Sequence, residues 1–356
     1  MNAKRIGRVA LATALGAALA ACGSAKSPGP GGGGNTGTTI AALDFCTGVA
    51  DLVGQKSATC QGATAAWVAQ QKALATGACQ AAGGEITAGR VAYDGTRGGS
   101  CLAELTAMSC TEFFAKQNSG HGLFTSTACA AAIGGAVAAG STCYDDSDCR
   151  DGYCQLGAGS ACPGTCTPHA AVGQSCATAR CGPGLECDRT DPANPTCKAA
   201  SAENGACPCD DGLYCDTSGP SPVCKPPRTG GPCSDIFREC AVGYACTGPI
   251  GASTCLPLGK VGDACTPGTG GCAPGLDCDP ATSRCVAQPT AGQTCTSGAG
   301  SLSCLDGVCD DLGTGQCKAP KADGAPCDPR AFVDDCLGLC DASTLKCRGA
   351  TLSCTP

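Results

Sequence analysis

Gly262-Asp-Ala-Cys265-Thr-Pro-Gly-Thr-Gly-Gly-Cys272-Ala-Pro-Gly-Leu-Asp-Cys278-Asp-Pro-Ala-Thr-Ser-Arg-Cys285 is one copy of a unit that recurs from about Gly140 to Cys347. Each copy opens with a glycine two or three positions before its first cysteine. A polar loop leads to the second cysteine, a glycine-containing turn to the third, and a short tail to the fourth. First cysteines fall at Cys143, Cys176, Cys207, Cys233, Cys265, Cys295 and Cys327, spaced 26 to 33 residues apart. Such a period marks an array of about seven small modules rather than one continuous core.

Six modules carry four cysteines, as in Cys176, Cys181, Cys187 and Cys197 or Cys265, Cys272, Cys278 and Cys285. The first carries five: Cys143, Cys149, Cys154, Cys162 and Cys166. The third cysteine follows a glycine by three positions in modules two to five (Gly184, Gly212, Gly243, Gly275) and by two at Gly152, Gly307 and Gly338. Modules two and five share Cys-x-Pro-Gly-Leu-acid-Cys-Asp. Pro then Gly suits a type II turn, with proline fixing φ and glycine supplying a positive one.

Thirty residues bury too little apolar surface to fold unaided, and aromatics are only 3% of this chain, so each module needs covalent staples. Four cysteines allow three pairings. The spacing does not choose among them, and first with third, second with fourth is the working expectation. Bridges closing loops of this size contribute roughly 3 kcal/mol each. The 37 cysteines among 356 residues place the chain with disulfide scaffolds, hence in an oxidising compartment. No Cys-x2-Cys pair occurs, which argues against a zinc array.

The net charge is −7. Loss of Lys4, Arg5 and Arg8 with a leader leaves twenty basic against thirty acidic residues, which argues against nucleic acid as a partner. Residues 1–21 have the form of a secretory leader, with those three cations ahead of the apolar Val9–Ala20. Leu19-Ala20-Ala21-Cys22 then resembles the lipobox of bacterial lipoproteins. The resemblance implies that Cys22 becomes the acylated first residue of the mature chain. Several acyl chains give a stable membrane anchor where one does not. Gly23 after Cys22 points, by the same resemblance, to the outer membrane. One lipidated cysteine leaves an even 36 for bridges. Gly23–Thr39, rich in Gly, Ser and Pro, is expected to be a flexible tether.

Between residues 40 and 139 cysteines thin to six and alanine-rich helical spacings appear. The expected helices place Leu43, Cys46, Ala50 and Val53 on one face, and span Ala63–Thr76 around Trp67, part of Cys101–Ser109, and Ala128–Ala139. The fold class expected is therefore a small disulfide-rich repeat array, with little regular secondary structure and short β pieces, preceded by an α-helical disulfide-stapled domain. Residues 140–356 hold the repeats.

Catalytic signals are sparse. Nucleophilic catalysis of the Ser/His/Asp or Cys/His type would have to use His121 or His169, and neither lies in a recognisable motif. No catalytic residue is assigned. The acids Asp145, Asp146, Asp148 and Asp151 are candidates for calcium, whose ligands are clustered oxygens. Their spacing does not fit an EF-hand, and aspartate is equally a turn former. No other cofactor is implied.

Cys143–Cys187 reads C-x5-C-x4-C-x7-C-x3-C-x9-C-x4-C-x5-C and, with Asp-Ser-Asp-Cys149 and Gly152-Tyr-Cys154, resembles the Dickkopf N-terminal cysteine-rich pattern. The family's adjacent cysteine pair is missing, with the single Cys181 in its place. The whole plan resembles the cysteine-rich lipoproteins of myxobacteria. It implies a non-enzymatic outer-membrane lipoprotein, a stalk or a protein- or polysaccharide-binding module held to the membrane through Cys22. The alternative is a secreted inhibitor- or toxin-like binding protein, with Asp188–Thr196 and Ser234–Glu239 as its presenting loops.

Overall fold

A computed structural model describes residues 39–118, 123–157, 163–189, 191–234, 239–249, 252–268, 270–295, 303–310, 314–321, 324–327, 339–341 and 345–348. The leader, Cys22, His121, Cys162, Cys336, Cys354 and most of Ser234–Glu239 lie outside them. None of the described helices is long and apolar enough to cross a membrane. Among the described residues the chain is disulfide-rich, with a few helices and short antiparallel strand pairs.

Helices come first: α1 (Ala42–Gln61), α2 (Ala65–Thr87), α3 (Gly95–Ala107), α4 (Cys110–Asn118) and α5 (Thr127–Ala132). Side chains cap four of them, Thr64 at α2 among them. Asp94 accepts the amides of Thr96 (3.0 Å) and Arg97 (3.2 Å) at α3. At α4, Ser109 and Glu112 form a reciprocal capping box, Glu112 taking the Ser109 amide at 2.8 Å while Ser109 Oγ takes the Glu112 amide at 3.3 Å. Ser126 Oγ accepts the Cys129 amide at α5. Phe45 packs between Tyr93 (ring centroids 5.6 Å) and Phe124 (5.9 Å), with Val49, Leu105, Phe113 and Phe114 also buried. Bridges Cys46–Cys79 and Cys101–Cys129 staple these helices.

Four helical expectations are corrected. Leu43 is 48% exposed, whereas Cys46, Ala50 and Val53 are buried as expected and are joined in the core by Phe45, Val49 and Leu52. The second helix runs past Thr76 to Thr87, with Cys79 bridged to α1. The third starts at Gly95, where the Asp94 cap sets its beginning. Ala128–Ala139 is helical only to Ala132, because Ile133–Gly135 (β2) pairs antiparallel with Val91–Tyr93 (β1).

From Thr142 onward every module is a variation on one hairpin. Module one has three strands, β3 (Thr142–Cys143), β4 (Gly152–Gln155) and β5 (Gly164–Pro168). The later hairpins are β6 (Leu185–Asp188) with β7 (Thr196–Ala199), β8 (Tyr214–Asp216) with β9 (Val223–Lys225), β10 (Tyr244–Thr247) with β11 (Thr254–Pro257), β12 (Leu276–Asp279) with β13 (Arg284–Ala287), β14 (Val308–Cys309) with β15 (Cys317–Lys318), and β16 (Leu339–Asp341) with β17 (Lys346–Arg348). The register sets the third cysteine opposite the last one in each, as in Cys187 opposite Cys197 and Cys278 opposite Cys285.

Two compact units emerge, and neither is purely helical or purely modular. One takes the described residues up to 52 with 74–227; the other takes 53–73 with the described residues from 228 onward.

Candidate functional site

In modules one to six the facing third and last cysteines do not bridge each other, since each side chain is paired elsewhere. Cys143–Cys154, Cys176–Cys187, Cys207–Cys215, Cys233–Cys246, Cys265–Cys278 and Cys295–Cys309 join first to third. Cys149–Cys166, Cys181–Cys197, Cys209–Cys224, Cys240–Cys255, Cys272–Cys285 and Cys304–Cys317 join the second to the last. These sulfurs are the cores: the buried cluster of module one is Cys143, Cys149, Cys154 and Cys166, and that of module six is Cys295, Cys304, Cys309 and Cys317. Where three sulfurs of a module gather within 4.8 Å, as at Cys265, Cys272 and Cys285, they belong to its two bridges.

Backbone hydrogen bonds repeat as regularly. The amide of the last cysteine reaches the carbonyl two residues before the first one, as in Cys197 to Gln174 (2.9 Å) and Cys285 to Asp263 (2.9 Å). The residue four beyond the last cysteine then straddles the second cysteine of the next module. Ala170 donates to Arg180 O (2.8 Å) and accepts from the Gly182 amide (3.0 Å); Gly259 does the same with Gly271 and Ala273. A module therefore begins on its predecessor's tail.

The acids of module one sit inside this frame. Asp145 and Asp148 form a capping box on the short 3-10 turn Asp146–Asp148. Asp148 Oδ2 accepts the amides of Tyr144 (2.7 Å) and Asp145 (3.2 Å), and its other oxygen lies 3.6 Å from Arg90 Nε. Burial pushes the Asp148 and Asp145 carboxyls above their ordinary range, against the pull of those backbone donors. Asp146 accepts the Cys154 amide (2.9 Å) and pairs with Arg180. Asp151 occupies the turn before β4 with φ 57°. Three of the four calcium candidates thus direct carboxylate oxygens at their own loop. Arg180 also lies over the Tyr153 ring (5.0 Å), which faces His169 at 5.7 Å, so His169 belongs to the packing of the first two modules.

Two features escaped the reading of the sequence. The aspartate after the third cysteine pairs with the lysine after the fourth: Asp188 with Lys198, Asp216 with Lys225, Asp310 with Lys318. Asp216 and Asp310 also accept the amides of Ser218 and Thr314 in their hairpin turns. The Lys318 ammonium, with the Thr314 amide, holds the Asp310 carboxyl down to about 2. The recurring Cys-Asp and Cys-Lys dipeptides are its trace in the sequence. The second feature is the use of the turn glycine. Gly275 has φ 88°, and a Cβ there would lie 2.1 Å from Thr64 Oγ1 and 2.8 Å from Trp67 Cβ. The Thr64 amide donates to Pro274 O at 3.0 Å. A helix start is seated on the turn.

No family model, curated protein or solved structure matches this chain. Its function has to be argued from its own residues.

Proposed function

We propose that the chain is a non-enzymatic lipoprotein of the outer membrane, anchored through acylated Cys22, whose cysteine modules form a protein-binding surface. The observation that carries the anchor is Leu19-Ala20-Ala21-Cys22 behind a basic and then apolar leader. The binding reading rests on the modules. Their side-chain chemistry goes into bridges, turn caps and cross-strand pairs, and what varies between them is the loops.

The helix start at residues 62–68 meets module five, and Gly243 of module four approaches Cys60 O. These contacts give modules four and five a helical neighbour within the same unit besides their neighbouring modules. Every described aromatic ring is buried or half-buried, which supports a protein partner over a polysaccharide stacked on exposed rings. An acidic chain of this kind disfavours nucleic acid.

Intact mass of the native protein, alkylated without reduction, tests the proposal. The expected product begins at Cys22, carries acyl chains, shows no alkylated thiol and fractionates with the outer membrane, whereas Cys22→Ala becomes soluble. A wild-type chain lacking acyl groups, or one that stays soluble, overturns it.

A further inference from the structure

Modules two and five carry the same turn in different surroundings. Cys181-Gly-Pro-Gly-Leu-Glu-Cys187-Asp and Cys272-Ala-Pro-Gly-Leu-Asp-Cys278-Asp differ only at the residue after the second cysteine and in the choice of acid. Both turns close with the same backbone bond, Leu185 to Gly182 O and Leu276 to Ala273 O, each 3.0 Å. Both put glycine at positive φ, 71° at Gly184 and 88° at Gly275. The backbone conformation is one and the same type II turn.

Module five's turn is covered. Thr64 caps the first turn of α2, its Oγ1 accepting the Trp67 amide at 3.2 Å, and donates its own amide to Pro274 O. Gly275, Leu276 and Asp277 are buried beneath it. The equivalent glycines of modules three and four are covered too: a Cβ on Gly212 would meet Ala115 of α4 at 2.8 Å, and one on Gly243 would meet Cys60 O of α1 at 2.8 Å. In three of the four modules with this turn, a helix of the same chain lies against the glycine. Module two is the exception. Among the described residues, nothing lies within 4 Å of a Cβ built on Gly184, and Pro183 and Gly184 are exposed.

We infer that the turn Gly182–Leu185 is a docking site for the start of a helix on a partner protein. Module five defines the chemistry of that occupant. It is a helix N-terminus with Ser or Thr at the cap, two small residues after it and an aromatic third, donating its cap amide to Pro183 O. Glycine at 184 keeps the approach open, since a side chain there would occupy the space that Thr64 and Trp67 take in module five. The inference deepens the proposed binding function but does not rest on acylation of Cys22.

The probe is a stapled helical peptide of residues 61–74, fluorescently labelled and titrated into the full chain. Saturable one-to-one binding is expected, weakened at least tenfold by Gly184→Asn. Asparagine tolerates positive φ, so the turn survives while its side chain fills the seat. Unchanged bridges in the variant, read by intact mass without reduction, confirm its fold. A peptide with Trp67→Ala should also bind at least tenfold more weakly. Absence of saturable wild-type binding, or equal binding to Gly184→Asn, overturns the inference. Self-association of the wild type without peptide, lost in Gly184→Asn, would overturn the choice of a foreign partner and give the turn to a second copy. Either failure leaves the acylation measurement standing by itself.

Discussion

Around Phe45 the helices are held by carbon, and around Cys143 the first module is held by sulfur. Phe45, Val49, Leu105, Phe113, Phe114 and Phe124 form an ordinary apolar interior, to which the bridges of Cys46 and Cys101 add staples. In module one the buried cluster is four cysteines, with Val137 and Leu156 only partly buried against it. The difference teaches how a chain poor in aromatics divides its work. Segments long enough to close a helical core use the hydrophobic effect, and segments of thirty residues replace it with covalent closure.

Reduction should separate the two regions most sharply. With all bridges reduced and capped, the modules should lose their slowly exchanging hairpin amides. Much of the helical circular dichroism should persist at low temperature. Loss of both signals together would show that the helices too depend on sulfur. Phe113→Ala is the converse test. Phe113 is fully buried, and truncating such a ring costs about 3–5 kcal/mol. Chemical denaturation of the oxidised protein should show that loss in the helical transition, with the module bridges unaltered in a peptide map.

Deleting one staple comes next in size. Cys304→Ala with Cys317→Ala opens a loop whose ends are 13 residues apart. It should cost about 3 kcal/mol, confined to module six. The smallest effect is electrostatic. Asp310, lowered by Lys318, stabilises its hairpin fully above the unfolded carboxyl value of about 4, and that contribution is lost as pH falls through about 2. Asp148, raised chiefly by burial, works in the opposite sense: protonation on acidification relieves the folded state. Carboxyl NMR titration should place Asp310 below the ordinary range and Asp148 above it, and Lys318→Ala should raise Asp310 part of the way toward that range, the Thr314 hydrogen bonds remaining.

The modules were more legible than the helices because their constraints are local. A glycine three before a cysteine, preceded by proline, announces its own turn, and Gly184 and Gly275 adopt it. At Gly152 and Gly307 the reason is different. A Cβ there would press on the facing strand, 2.4 Å from Thr167 O and 2.1 Å from Lys318 O, a demand visible only once the hairpin is paired. The capping box Ser109-Cys-Thr-Glu112 was readable and marks α4, which composition alone did not suggest. The β2 strand was not readable, because Ile133-Gly-Gly135 becomes extended only by pairing with Val91–Tyr93. The seat of Thr64 on Pro274 joins residues 210 apart along the chain, and nothing in either segment distinguishes a covered turn from the open one at Gly184.

The fold of every module depends on which cysteines are joined. Non-reduced proteolytic mapping of module five measures this directly. The structure predicts a Cys265–Cys278 linkage together with Cys272–Cys285, whereas a Cys265–Cys272 or Cys278–Cys285 linkage would contradict the account of how this chain folds.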